Sequence, residues 1–151
     1  ESALGKTGND IPTMLDLRTH IKKDSMFNTP PVFPIFVSML TLQWLKKNGG
    51  VKWIQSINEQ KAKTLYDEID RNPLFEGVTE KEDRSTMNAT FVLKDDQQKE
   101  TFDEMWKAAN ISGINGHRSV GGYRASMYNA LPLESVQALV DVMKELERTK
   151  G

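Results

Sequence analysis

Apolar positions divide the chain into three unlike stretches. Over residues 1–29 they follow no period, and Gly5, Gly8, Asn9, Pro12, Asn28 and Thr29 punctuate the run, which predicts irregular structure. About thirty residues without regular structure is long for a compact domain, so the stretch either has a functional conformation or packs on something else. Pro30-Pro31 then introduces residues 32–45, where Phe33, Phe36, Val37, Met39, Leu40, Leu42, Trp44 and Leu45 cover most of a helical circumference. Proline suits a first turn and Gly49-Gly50 suits an end, so this is a helix. A helix apolar nearly all round is normally buried on every side.

From residue 51 the pattern becomes amphipathic. Ile54, Ile57, Lys61/Ala62, Leu65 and Ile69 mark one stripe of a helix over 51–70, with Glu59, Lys63, Asp67 and Glu68 on a solvated face and Asn72-Pro73 as its stop. Residues 74–79 suit a short strand. Met87, Ala89, Phe91 and Leu93 alternate with Asn88, Thr90 and Val92, the signature of a half-buried strand. Asp95-Asp96 is placed to cap a helix over 97–110 whose inward residues are Phe102, Met105, Trp106 and Ala109. A strand over 111–114, a glycine-rich turn and a strand through Tyr123, Ala125 and Met127 follow. Pro132 opens a last helix with Val136, Leu139, Val140, Met143 and Leu146 inward. The predicted class is α+β: two helices, then a small β-β-α-β-β-α unit with helices on one face of an antiparallel or mixed sheet.

Composition narrows the function. The 151 residues suffice for one buried core. The net charge of −1 provides no global field to recruit nucleic acid or an anionic membrane, so any anion must be held locally. No cysteine is present, which excludes disulfides, thiolate catalysis and cysteine–zinc sites. His20 and His117 are far apart in sequence, a poor basis for a histidine metal site. No apolar run reaches membrane-spanning length and no signal-peptide pattern opens the chain. The start at Glu1-Ser2-Ala3, without methionine, suggests a chain beginning inside a longer protein.

Two segments carry candidate chemistry. In Gly116-His117-Arg118-Ser119-Val120-Gly121-Gly122-Tyr123-Arg124-Ala125-Ser126, three cationic side chains fall within eight residues of a glycine-rich turn. Glycines let a backbone turn tightly and approach a ligand, and arginine binds carboxylate or phosphate through a planar fork. Such a loop suits a substrate with both anions; equally, it could be a surface turn with exposed cations. In Ser25-Met26-Phe27-Asn28-Thr29-Pro30-Pro31, Asn28 and Thr29 precede a helix N-terminus, where phosphate is attracted. The plainer alternative is a helix cap followed by a proline stop. Arg18, His20, Lys22 and Lys23 read as solvated surface, and Trp44, Trp53 and Trp106 as core.

The strings Phe27-Asn28-Thr29-Pro30-Pro31 and Gly116 through Ala130 resemble phosphoserine aminotransferases at matching separation. Trp44-Leu45-Lys46-Lys47-Asn48-Gly49-Gly50 and Arg84-Ser85-Thr86-Met87-Asn88 are similar to that family as well, and the resemblance runs from Leu4 to the C-terminus. It implies the C-terminal portion of a fold-type-I, class-V-like aminotransferase, dependent on pyridoxal phosphate, homodimeric, cytoplasmic and active in serine biosynthesis. Such enzymes exchange an amino group between glutamate and 3-phosphohydroxypyruvate, forming phosphoserine. By resemblance, residues 1–50 are a dimer arm and interface helix of the large domain, and 51–151 a connecting helix and small domain. Asn28 and Thr29 would touch the cofactor phosphate of the partner subunit, Arg124 the substrate α-carboxylate, and His117 and Arg118 the substrate phosphate.

The family's Schiff-base lysine stands in a glycine-alanine-glutamine-lysine context that does not occur here. The chain is therefore expected to be inactive alone, with no catalytic residue of its own. The competing reading is a non-enzymatic α+β module whose basic loop binds a phosphorylated metabolite. The all-round apolar helix argues against it, because an independent module rarely exposes so large an apolar surface.

Overall fold

The computed structural model describes residues 4–6 and 8–150. The start at residues 1–3, and residue 7 of the irregular segment, lie outside the described residues. The chain separates into two compact units, Glu1–Trp44 and Leu45–Gly151.

The first unit contains two short helical elements not anticipated from the pattern, a 3-10 turn at Thr13–Leu15 and α1 (Leu17–Ile21). Asp16 caps α1 by accepting from the backbone N–H of Arg18 at 3.0 Å, and its carboxylate also binds the Arg18 guanidinium at 2.7 Å. The chain then reverses through Asp24 and Ser25, both with positive φ, and the Ser25 N–H donates to the carbonyl of His20 at 2.8 Å. The long apolar helix forms as expected, as α2 (Val32–Lys47), and none of its residues is buried. Trp44, expected in a core, is 44% exposed.

The second unit has one core. Its first helix, α3 (Gly50–Arg71), buries Ile54, Asn58, Lys61, Ala62, Leu65, Glu68 and Ile69. Glu68 was expected on the solvated face; it lies inside, satisfied by Arg71 at 2.7 Å and by Nδ2 of Asn72 at 2.9 Å. A buried carboxylate persists only when paired and hydrogen-bonded in this way. β1 (Phe75–Gly77), β2 (Asn88–Leu93) and β3 (Tyr123–Ser126) form an antiparallel sheet in that order. The register sets Ala89 opposite Ala125 and Thr90 opposite Arg124. α4 (Lys99–Ala108) lies between β2 and β3 in sequence, and α5 (Leu133–Lys150) ends the chain.

Alternation decides the faces of the sheet. Phe75, Ala89, Phe91, Leu93, Tyr123 and Ala125 point into one core with Leu65, Ile69, Phe102, Trp106, Leu139, Met143 and Leu146 of the helices. Four rings interlock there at centroid distances of 5.0–5.8 Å: Phe75, Phe91, Phe102 and Tyr123. Burying each such side chain contributes about 1.5–3 kcal/mol. The opposite face presents Glu76, Asn88, Thr90, Val92, Arg124 and Ser126, none of them buried.

The α+β class and the one-sided helices are as expected, but the strand expected over 111–114 does not form. Only an isolated bridge joins Asn115 to Tyr123, because Gly113 and Asn110 take positive φ and interrupt an extended run. The expected four strands are therefore three. Ala109 and Met87, expected inward, lie at an exposed helix end and just before β2, respectively.

Candidate functional site

The site is built where the 111–122 connection returns to β3. The N–H of Arg124 donates to the carbonyl of Ile114 at 2.7 Å, and the N–H of Gly116 donates to that of Gly122 at 2.9 Å. These bonds close a loop holding His117 and Arg118, with Arg124 two residues beyond the closure. The glycines are dictated by space. A Cβ on Gly116 would collide with the carbonyl oxygen of Gly121. One on Gly122, at φ +63, would come within 2.8 Å of the Phe91 carbonyl oxygen and of the Val92 side chain. A side chain at either position would open the loop.

Inside the loop, Val120 and Gly121 both donate their N–H to the carbonyl of His117, at 2.9 and 2.8 Å. Nδ1 of His117 lies 2.7 Å from Oγ of Ser119 and accepts from the Ser119 N–H at 3.3 Å. Since a backbone N–H can only donate, this places the proton of a neutral imidazole on Nε2, leaving that nitrogen as a donor to a ligand. Ser119 was not singled out from the sequence; its two-residue spacing after a histidine in a glycine loop was the available signal.

Charge pairing separates these cations from the rest. Arg18, Arg71, Arg84 and Arg148 each ion-pair with a carboxylate at 2.6–2.7 Å. Arg118 and Arg124 are exposed, and among the described residues neither has an ion pair or a side-chain hydrogen bond. Arg124 projects from the face of β3 opposite the core, because its neighbours Tyr123 and Ala125 are buried. Tyr123 serves the scaffold: its hydroxyl donates to Asp103 at 2.8 Å, and burial first, then Asp103, pushes its phenol well above the usual range. It stays protonated and is no general base.

Asn28 and Thr29 belong to the other unit. Both are exposed, in irregular chain just before α2, and among the described residues their side chains have no hydrogen-bond partner. Pro34 has no N–H, and the N–H of Ile35 is already bonded to the Pro31 carbonyl at 3.1 Å. The first turn thus offers only the N–H groups of Val32 and Phe33, a poorer anion site than its position suggested, and the side chains of Asn28 and Thr29 stand beside them. The predicted basic cluster is partly committed: Arg18 pairs with Asp16, and Nε2 of His20 lies 2.9 Å from the Met14 carbonyl oxygen.

A cleft of about 370 Å³ lined by Ile111, Ile114, Ala125, Met127, Leu131 and Val136 contains none of the five predicted site residues. No group of three or more metal-ligating side chains occurs among the described residues, and no helix there is long and apolar enough to cross a membrane.

The class-V aminotransferase model matches residues 4–139. The chain belongs to the class-V aminotransferases. Within that family it is 67% identical over 147 residues to the phosphoserine aminotransferase of Flavobacterium psychrophilum, covering 97% of this chain and 41% of that protein. It is 62% identical to that of Flavobacterium johnsoniae over the same shares. Among solved structures, the phosphoserine aminotransferase of Bacillus circulans subsp. alkalophilus superposes with a TM-score of 0.86 at 40% identity, over 93% of this chain and 39% of that one. A phosphoserine aminotransferase from Trichomonas vaginalis solved with pyridoxal phosphate bound gives a TM-score of 0.79 at 38% identity, over 89% and 39%. This class-V aminotransferase chain thus spans about two fifths of the length of the relatives it matches. Its unpaired arginines lie in the region of likeness, in a fold shared with those enzymes.

Proposed function

We propose that the chain is the C-terminal portion of a phosphoserine aminotransferase, acting in a cytoplasmic homodimer of serine biosynthesis. The observation that carries this reading is the pair Arg118 and Arg124, the two arginines without a carboxylate partner among the described residues, at one glycine-closed loop. Unpaired, exposed guanidinium groups keep their forks available for external anions. Arg124 binds the α-carboxylate common to glutamate and phosphoserine. His117, donating from Nε2, and Arg118 bind the phosphate that phosphoserine and 3-phosphohydroxypyruvate carry and glutamate lacks.

Asn28 and Thr29 suit a phosphate group, since both are exposed side chains with uncommitted polar atoms, and they would hold the phosphate of pyridoxal phosphate in the partner's site. When bound, that cofactor supplies the electron sink of transamination. The residues of this chain bind and orient: two anionic ends of the substrate are fixed, which sets the α-carbon between them and converts binding energy into alignment. The lysine that holds the cofactor covalently is supplied from outside this chain.

The test is a substrate split in the full-length protein. Arg124→Lys keeps the charge and loses the fork, lowering kcat/KM by about 10–150-fold, or about 1.5–3 kcal/mol, with both glutamate and phosphoserine. His117→Ala and Arg118→Ala lower it chiefly for phosphoserine. Equal losses for both substrates at Arg118 would remove its phosphate role. Cross-subunit service by Asn28 and Thr29 is read by mixing a variant lacking the cofactor lysine with an Asn28→Ala, Thr29→Ala variant. Mixed two-fold dimers then contain one intact composite site, and about a quarter of the activity returns. Mixed dimers without activity would place the pair in its own subunit's site.

A further inference from the structure

α3 carries a lysine, Lys61, with no exposed surface. Its Nζ donates to three main-chain carbonyls, those of Met127 at 3.1 Å, Tyr128 at 2.8 Å and Leu131 at 3.1 Å. An ammonium has three N–H donors, and all three are used. No carboxylate pairs with Lys61 among the described residues, and burial pushes its pKa down; what favours the ammonium is the set of three carbonyl acceptors, since a neutral amine has only two N–H donors. One turn earlier on the same helix, Nδ2 of Asn58 donates to Oδ1 of Asn129 at 2.8 Å. Two side chains of α3 therefore grip the chain reversal 127–131 at four points.

That reversal begins where β3 ends. β3 is only four residues long, and a slip of one residue would turn every side chain to the opposite face, carrying Arg124 into the core. Its N-terminal end is tied by the Arg124 N–H to Ile114 and by the Gly116–Gly122 bond. Its C-terminal end is tied by the Met127 N–H to the Met87 carbonyl at 2.7 Å, and then by Lys61. A methionine would fill the same space without burying a charge, but it would leave the Met127 and Leu131 carbonyls without donors, and that of Tyr128 with only the Leu131 N–H at 2.9 Å. The residue type thus fits a clamp on main-chain position more closely than it fits packing.

We propose that Lys61 is an internal cation that locks the 127–131 reversal, fixes the register of β3, and is thereby a positioning residue for Arg124. The proposal rests on the assignment of Arg124 to the substrate carboxylate. In the full-length holoenzyme, Lys61→Met should raise KM for both glutamate and phosphoserine about ten-fold while kcat stays within about three-fold, since the reacting groups are untouched. Lys61→Ala leaves the stem's volume open, and n-propylammonium should restore its KM and melting temperature. Tetramethylammonium, a cation without N–H donors, should not. Should Lys61→Met prove insoluble, Asn58→Ala removes one of the four grips and should raise both KM values about two- to three-fold. A lowered melting temperature with wild-type KM values would overturn the proposal by reducing Lys61 to a structural group. Equal rescue by both cations would overturn it as a salt effect, and an unchanged KM in Asn58→Ala would count against it in the same way. If Arg124→Lys lowers kcat/KM but Lys61→Met leaves KM alone, this inference fails by itself. If Arg124→Lys has no effect, the carboxylate assignment fails and takes the inference with it.

Discussion

α2 and α3 are long helices adjacent in sequence, and their surfaces are spent differently. α2 is the more apolar, yet Phe33, Ile35, Phe36 and Leu42 are all more than half exposed within this chain. α3 is far more polar and supplies Leu65 and Ile69 to the core at 0% and 1% exposure. Pattern, not apolar content, decides what a helix can bury in its own unit. An apolar stripe on α3 matches one face of one sheet, whereas α2, apolar around its circumference, offers no face that a single layer could satisfy. The arrangement fits a chain that spans about two fifths of its relatives' length.

The largest expected break in this comparison is in the core. Leu65→Ala should destabilise the second unit by about 3–5 kcal/mol, read by urea unfolding. Phe36→Ala in this 151-residue chain should change stability by less than about 0.5 kcal/mol, as for a surface site. The same Phe36 substitution in the full-length protein should cost about 3 kcal/mol or more if α2 is core there. Equal, small effects in both would mean that α2 is exposed by design.

Next in size is the glycine loop. Gly116→Ala drives a Cβ into the Gly121 carbonyl oxygen, and relief requires backbone movement, at about 1–3 kcal/mol. If the loop holds the substrate anions as proposed, kcat/KM for phosphoserine in the full-length protein should drop more than the melting temperature implies. An unperturbed variant would show that the loop tolerates a wider turn.

Asp70 gives a smaller effect with a pH signature. Arg84, bound through two hydrogen bonds at 2.7 and 2.9 Å, holds its carboxyl at about 2, with Lys81 assisting. A folded pKa below the unfolded value near 3.8 contributes stability that is complete above that value. It is lost as pH falls toward about 2. The site is partly exposed, so after solvent screening Asp70→Asn should cost about 1 kcal/mol at pH 7. The difference from wild type should shrink between about pH 4 and pH 2, as seen in acid melts. A deficit independent of pH would mean that shape, not charge, is what Asn fails to supply. Smallest of all, Lys63→Ala on the solvated face of α3 removes an exposed pair with Asp67 and should change stability by less than about 0.5 kcal/mol.

Much of this was legible in one dimension. The extent of α2 follows from its flanking prolines and glycines, and the span of α3 and the inward residues of α5, β2 and β3 from periods of 3.6 and 2, all of them local properties of the chain. The candidate residues His117, Arg118 and Arg124 were visible as cations in a glycine-rich turn, a pattern that suits anions and equally suits an exposed surface turn. Other features could not be read that way. Glu68 looks like any solvated glutamate until Arg71 and Asn72 close on it. The 111–114 segment has a strand's composition but meets the sheet in only one bridge. Lys61 was placed on the inward stripe, yet nothing local shows what a buried ammonium would touch.

The sequence by itself determined the helices, the alternation of the strands, and which side chains could hold an anion, because propensity, period and side-chain chemistry are set by near neighbours. Only the tertiary structure decided that, among the described residues, Arg118 and Arg124 have no carboxylate partner while Arg84 and Arg71 do. It alone decided that three carbonyls from residues 127–131 converge on an ammonium from α3. Pairings of that kind join residues about 66–70 positions apart, and whether a charge is spent or free depends on what the fold brings within hydrogen-bond reach.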